Sequence, residues 1–268
     1  MQTELRDKQY FDDRATREMA VQLQRCRRTL REELAYAARI LAMTGQEAGL
    51  AGQLTARSAR RDAYWTLKFG LGFDEATPED FIEVDGDLNT LTGEGMPNPA
   101  TRFHLWVYAA RPDVDAIIHA HSPWASVLAA SCQPLVVSQM DMTPLHEDCA
   151  FLAEWPGVPI ADHEGVLIAD ALGSKRSIIL AHHGYLTAGA TIREATYLSV
   201  YLERAARLQV RSQAYGPPIA VDAALAREAH DYLLKPTIVD ATFDYWCRQA
   251  DRARLSSRPA TSPSGNAE

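Results

Sequence analysis

The segment from Val114 to Pro123, VDAIIHAHSP, constrains this chain more than any other. Its β-branched and apolar residues specify a buried strand. Ser122-Pro123 then supplies a helix cap and a proline suited to the first helical turn. A strand that turns directly into a helix is the unit of an α/β layer structure. A second segment has the same build: Ser177 to Ala181 is an apolar strand that ends in His182-His183-Gly184.

Helical spacing fills much of the rest. Leu30, Leu34, Ala37, Ile40 and Leu41 recur at three- and four-residue steps until Gly45. Asn98 to Ala110 reads as a helix broken by Arg111-Pro112-Asp113, and Trp124 to Cys132 as another. Val166 to Leu172 ends at Gly173. Thr191-Ile192-Arg193-Glu194 reads as a capping box opening a long helix through Leu198, Leu202, Ala205 and Leu208. A further helix is expected over roughly 222–234. Short strands are expected within 49–73 and at Phe81 to Val84, and strands and loops over 133–165. Helices and strands alternate without the regular rhythm of a fully parallel sheet. The expected fold is therefore α/β, a three-layer α/β/α single domain with a mixed central sheet over 29–250. Residues 1–28, rich in arginine, are expected to form a solvated helical arm, and 251–268, ending in LSSRPATSPSGNAE, a disordered tail.

Composition narrows the partners. The chain of 268 residues has 35 acidic against 27 basic side chains, a formal charge of -8, which disfavours nucleic acid and anionic membranes. It has no apolar run of membrane-spanning length, and its polar start, MQTELRDKQYFDDR, has no signal-peptide core. Cys26, Cys132, Cys149 and Cys247 are scattered, as reduced thiols of a cytoplasmic protein would be.

The chemistry concentrates at the two strand ends. Side chains alternate faces along a strand, so His119 and His121 project to one side, where two imidazoles suit a single metal ion. His182 and His183 point to opposite faces, so at most one joins the first pair. Three neutral imidazoles would leave a coordination position open, the catalytic pattern. Taken separately, each pair also fits ordinary core or surface histidines. His104 reads as structural, and His163 and His230 as ordinary loop or helix residues. His146-Glu147-Asp148 reads either as an acid–base group or as a solvated turn. The helix start after Ser122 suits a substrate anion. No nucleophile elbow, Walker loop or dinucleotide fingerprint is present.

The stretches NPATRFHLWVYAARPDVDAIIHAHS (98–122) and LAHHGYLTAGATIREA (180–195), with weaker similarity from Arg31 through GLAGQLTARS (49–58) and GEGMPNP, resemble the class II aldolase/adducin family. The resemblance covers about residues 30–245. It implies a single α/β/α domain and one divalent metal on His119, His121 and His183, zinc first, with manganese or iron as alternatives. It also implies a homotetramer with active sites near subunit interfaces. Sugar-phosphate aldolases of this family carry Ser-Ser-Glu where this chain has Asn98-Pro99-Ala100, and Asn where it has Gln53. The serine pair that helps hold phosphate and the acid–base carboxylate are thus missing. Asn98, Gln53 and Ser122 are the expected substrate-side residues.

The resemblance and the chemistry together point to a carbon–carbon lyase. The expected reaction is decarboxylation of a non-phosphorylated hydroxy-aromatic or keto carboxylic acid through a metal-stabilised enolate. Glu147, His146 or a neighbouring subunit's tyrosine would return the proton. Retro-aldol cleavage, an Fe(II)-dependent oxygenase and a non-catalytic adducin-like module are the alternatives, in that order. Arg102, His104, Trp106 and Tyr108, large polar-tipped residues just before the metal strand, suggest a subunit interface or pocket rim. The alternative is that Trp106 and Tyr108 pack into the chain's own core.

Overall fold

The structure, a computed structural model, describes residues 5–256. Its centre is one sheet of β1 (Gln53–Arg57), β2 (Ala63–Leu67), β3 (Phe81–Asp85), β4 (Thr90–Thr92), β5 (Ala116–Ala120), β6 (Cys149–Leu152), β7 (Ser177–Leu180) and β8 (Gly184–Gly189). The strand order is β4-β3-β2-β1-β5-β8-β7-β6. All neighbours are antiparallel except β6 and β7, which makes the sheet mixed.

Two layers of helix cover the sheet. On one face, α2 (Leu30–Met43), α4 (Pro123–Ala130), α6 (Ile192–Ser212) and α8 (Pro236–Ser256) bury a core with Leu54, Ile118, Ile179 and Tyr185. On the other, α3 (Arg102–Ala110) and α5 (Asp162–Leu172) pack on Ile117, Ile178, Leu186 and Ala188. Alternation along each strand sends successive residues to opposite layers, so both faces are apolar. Each fully buried Leu or Ile contributes about 1.5–3 kcal/mol. α1 (Lys8–Gln22) buries no residue, and α7 (Ala223–Leu233) follows α6.

Several boundaries differ from the sequence reading. Asn98 caps a 3₁₀ turn over Pro99–Thr101, and the α-helix begins only at Arg102. α5 starts at Asp162 because Glu164 reaches back to the Ala161 N–H. At Thr191 half of the capping box forms: its hydroxyl accepts from the Glu194 N–H, but the Glu194 carboxylate turns to the Ala190 N–H and Arg176. The tail expected from 251 begins inside α8, which is helical through Ser256; residues 257–268 lie outside the described residues. The arm does not stay solvated to residue 28, because Asp244 accepts from the Cys26 N–H and from Arg28, and Arg25 pairs with Glu33.

That docking is part of one buried ionic cluster. The Arg193 guanidinium, fully buried, donates to Glu33 at 2.8 Å, Asp244 at 3.2 Å and the Cys26 carbonyl at 2.9 Å, with Asp240 at 3.4 Å. It joins α2, α6 and α8 to the chain before α2. Removing one member of such a cluster leaves buried charges unpaired. Arg193→Met is therefore expected to lower unfolding free energy by about 3–5 kcal/mol. Urea unfolding checks this; a loss below about 1 kcal/mol would contradict the role assigned to the cluster.

Candidate metal centre

β5 and β7 run parallel within the sheet, one strand apart, with β8 between them. Their carboxyl ends therefore lie at the same edge. β5 ends at Ala120 and delivers His119 and His121; β7 ends at Leu180, and the turn Ala181-His182-His183 leads into β8. Antiparallel register sets Ala120 opposite Tyr185 and Leu180 opposite Gly184, which brings the turn onto the end of β5. Gly184 is required there. A Cβ on it would lie 2.6 Å from the Ala120 carbonyl oxygen and 2.8 Å from the His121 ring.

The three rings converge. Centroid separations are 4.9 Å for His119–His121 and 4.7 Å for each of these with His183. One ligand nitrogen from each lies within 4.8 Å of the other two. The Nε2 atoms of His119 and His121 stand 3.0 Å apart. Tetrahedral Zn–N bonds of about 2.05 Å place ligand nitrogens about 3.3 Å apart, so this spacing fits a shared ion. His119 Nδ1 lies 2.7 Å from the Tyr185 carbonyl, which makes Nδ1 the donor and leaves Nε2 as the ligand atom. Phe103 of α3 packs edge-on against His119 at 5.0 Å. His182, the other member of the pair, turns outward and lies 3.4 Å from the Cys132 sulfur.

The local environment keeps these rings neutral. Burial, then the neighbouring His183 and His121, holds His119 well below the usual histidine range. Burial lowers His121, and burial with His121 nearby pushes His183 down to about 4. Neutral imidazole is the form that binds metal. His119 is buried, whereas His121 and His183 are partly exposed, so the cluster is closed beneath and open to solvent on one side.

The remaining candidates sort differently. Gln53 is registered opposite His119 across β1–β5, hence on the same sheet face. Its Nε2 donates to the Ala51 carbonyl, and its buried Oε1 has no partner among the described residues. Asn98 is committed to backbone, accepting from the Ala100 N–H and donating to the Leu50 carbonyl. The Ser122 hydroxyl points inward and donates to Glu203 at 2.6 Å, so it is not offered to a substrate. Glu147 and His146 lie at the end of the sheet opposite the triad. They precede β6, beside the Ser177 start of β7, and are separated from His183 by the length of that strand, roughly 10 Å. Glu147 pairs there with Arg227, and Lys175 donates to its carbonyl. The large residues of α3 also act inside the chain. His104 and Tyr108 are buried around Thr55; Trp106 donates to Asp162 and packs on Gly165, where any Cβ would collide with the indole; Arg102 pairs with Asp162.

With this geometry in place, comparison with known proteins is decisive for the family. Residues 32–210 match the family described as "Class II Aldolase and Adducin N-terminal domain". The chain belongs to the class II aldolase and adducin family. Within it, "Decarboxylase NovR" of Streptomyces niveus is 33% identical over 182 residues, covering 67% of this chain and 67% of that protein. The "4-hydroxy-3-prenylphenylpyruvate oxygenase/4-hydroxy-3-prenylbenzoate synthase" of Streptomyces roseochromogenus subsp. oscitans is 32% identical, covering 67% of this chain and 66% of that protein. Among solved structures, "L-fuculose 1-phosphate aldolase from Glaciozyma antarctica PI12" superposes with a TM-score of 0.77 at 28% identity, covering 85% of this chain and 90% of that one. The class II aldolase fold thus spans nearly the whole described chain.

Two features escaped the sequence reading. Phe103 packs on His119 and Glu203 accepts from the start of α4, and Glu203 had left a signal: a carboxylate at a core position of α6, in step with buried Ser199 and Ala206.

The depressed histidines give stability a pH dependence. Unfolded histidine titrates near 6.5, and His183 in the fold only near 4. Between these values the unfolded state binds more protons, so stability rises with pH and is lost on acidification, by up to about 1.4 kcal/mol per pH unit per group. Chelator-treated protein is expected to show a falling thermal midpoint from pH 6.5 to 4, and His183→Asn a shallower fall. Equal slopes in thermal melts of the two proteins would contradict this.

Proposed function

We propose that this enzyme, a carbon–carbon lyase of the class II aldolase family, binds one divalent ion, zinc first, on His119, His121 and His183 and decarboxylates a non-phosphorylated hydroxy-aromatic or keto acid. The observation that carries the metal reading is the convergence of three neutral imidazoles at an edge open on one side. An ion held there would act as a Lewis acid, stabilising the enolate left when the carbon–carbon bond breaks.

The chain's own residues support the choice of substrate. Ala100 has no proton to transfer, so the position that resembles the aldolases' acid–base carboxylate is chemically silent. Asn98 spends its amide on backbone, and Pro99 has no N–H, which leaves little to grip a phosphate. Decarboxylation needs no base to remove a hydroxyl proton, whereas retro-aldol cleavage does. The similarity to a protein named decarboxylase points the same way. Retro-aldol cleavage is the second reading, favoured by the superposition on a fuculose phosphate aldolase.

A cytoplasmic homotetramer, its active sites completed across subunits, belongs to this proposal. With Glu147 and His146 at the far end of the sheet, a group from a neighbouring chain is the source of the returning proton. No helix among the described residues is long and apolar enough to cross a membrane.

Metal analysis of purified protein should give one ion per chain. His121→Ala is expected to lose it together with activity by about 10³-fold, equivalent to about 4 kcal/mol. Full occupancy and turnover in that variant would sink the assignment. In a substrate panel, CO₂ release from hydroxy-aromatic or keto acids is expected. Efficient cleavage of fuculose or ribulose phosphates would establish the aldolase reading instead, and dioxygen uptake with an aromatic acid the oxygenase one. Light scattering should find a tetramer; a fully active monomer would rule out shared sites.

A further inference from the structure

Glu203 lies on α6, away from the three rings, and its carboxylate is nearly fully buried. It accepts from the Ser122 hydroxyl at 2.6 Å, the Trp124 N–H at 3.0 Å and the Ala125 N–H at 2.9 Å. These donors form the junction between β5 and α4. Helix N-termini leave their first amides without partners inside the helix, and a serine at Ser122's position ordinarily accepts from them with its own hydroxyl. Here Ser122 makes no such cap; its hydroxyl donates a hydrogen bond to Glu203, which caps α4 from another helix.

His121 directly precedes this junction. His119 lies within the β5 ladder, and its ring is oriented by the Tyr185 carbonyl. His121 lies one residue beyond the ladder, which ends at Ala120. The only hydrogen-bond-range contact of its ring among the described residues is with His119. Apart from packing on His183 and Gly184, its place is set by its backbone, and Ser122, the next residue, is what Glu203 grips. α6 itself follows β8, so the same helix that continues from the His183 segment holds the His121 segment.

We propose that Glu203 is the positioning residue for His121, acting through Ser122 and the first turn of α4 to hold that imidazole at the metal centre. The inference rests on the triad being the metal site. Supporting groups around metal ligands typically change metal affinity by about 10–100-fold when removed.

The test measures Zn²⁺ dissociation constants by chelator competition, the Co²⁺ absorption spectrum, and the thermal midpoint of metal-free protein. Glu203→Ala and Ser122→Ala are expected to weaken Zn²⁺ binding about tenfold and to alter the Co²⁺ bands. Glu203→Gln, which keeps an acceptor oxygen, is expected to fall between them and the unsubstituted protein. Thr191→Ala, which removes the cap of α6, should lower the thermal midpoint without changing either metal readout. Ser122→Ala decides the matter if Glu203→Ala does not fold. Unchanged affinity and spectrum in Ser122→Ala, or weakening in Thr191→Ala equal to that in the junction variants, would overturn the positioning role while leaving the triad intact. Failure of the unsubstituted protein to bind either ion would overturn both readings.

Discussion

Antiparallel pairing of β5 with β8 is the contact on which the candidate centre depends. It carries the His182-His183 turn onto the end of the strand that bears His119 and His121. The pairing tolerates nothing larger than Gly184 against the Ala120 carbonyl. The Tyr185 carbonyl then fixes the tautomer of His119, so the ladder that builds the sheet also orients a ligand. A shift of one residue in this register would send His119 to the opposite face, into the aliphatic layer beneath α2 and α6.

The two ends of the sheet divide the work. The edge with the triad holds neutral, desolvated imidazoles and opens toward solvent. The opposite end is laced with ion pairs: Arg176 binds Asp148 and Glu194, and Arg193 gathers Glu33, Asp240 and Asp244. These clusters tie α2, α6 and α8 and the chain before α2 into one body, behind the edge where chemistry is proposed. Glu147 belongs to that structural end, where it pairs with Arg227 and its neighbour His146 rather than with a histidine of the triad.

Much of this was legible in local sequence. Val114 to His121 and Ser177 to Ala181 declare buried strands by composition, and the Ser-Pro and Gly punctuation after them marks where each turns. The layer class and the His119–His121 pair follow from periodicity alone. β8 did not, because GYLTAG is short and bracketed by glycines; only its place between β5 and β7 makes it a strand. α8 does carry a local signal, since Val239, Phe243, Trp246, Cys247 and Ala250 follow helical spacing. Ser122 and Glu147 lie away from the triad for another reason: a polar side chain near a motif in sequence says nothing of which way it points. Ser122 turns to a carboxylate 81 residues away, and Glu147 sits across the length of a strand.

The central claim is that three imidazoles from two strand ends hold one divalent ion. X-ray absorption of the zinc-loaded protein tests it most directly, because the metal's first shell reports ligand type and distance. The account predicts three imidazole nitrogens at about 2.0–2.1 Å, with the remaining position taken by a light oxygen donor. A first shell with thiolate sulfur, or with no imidazole scattering, would contradict it.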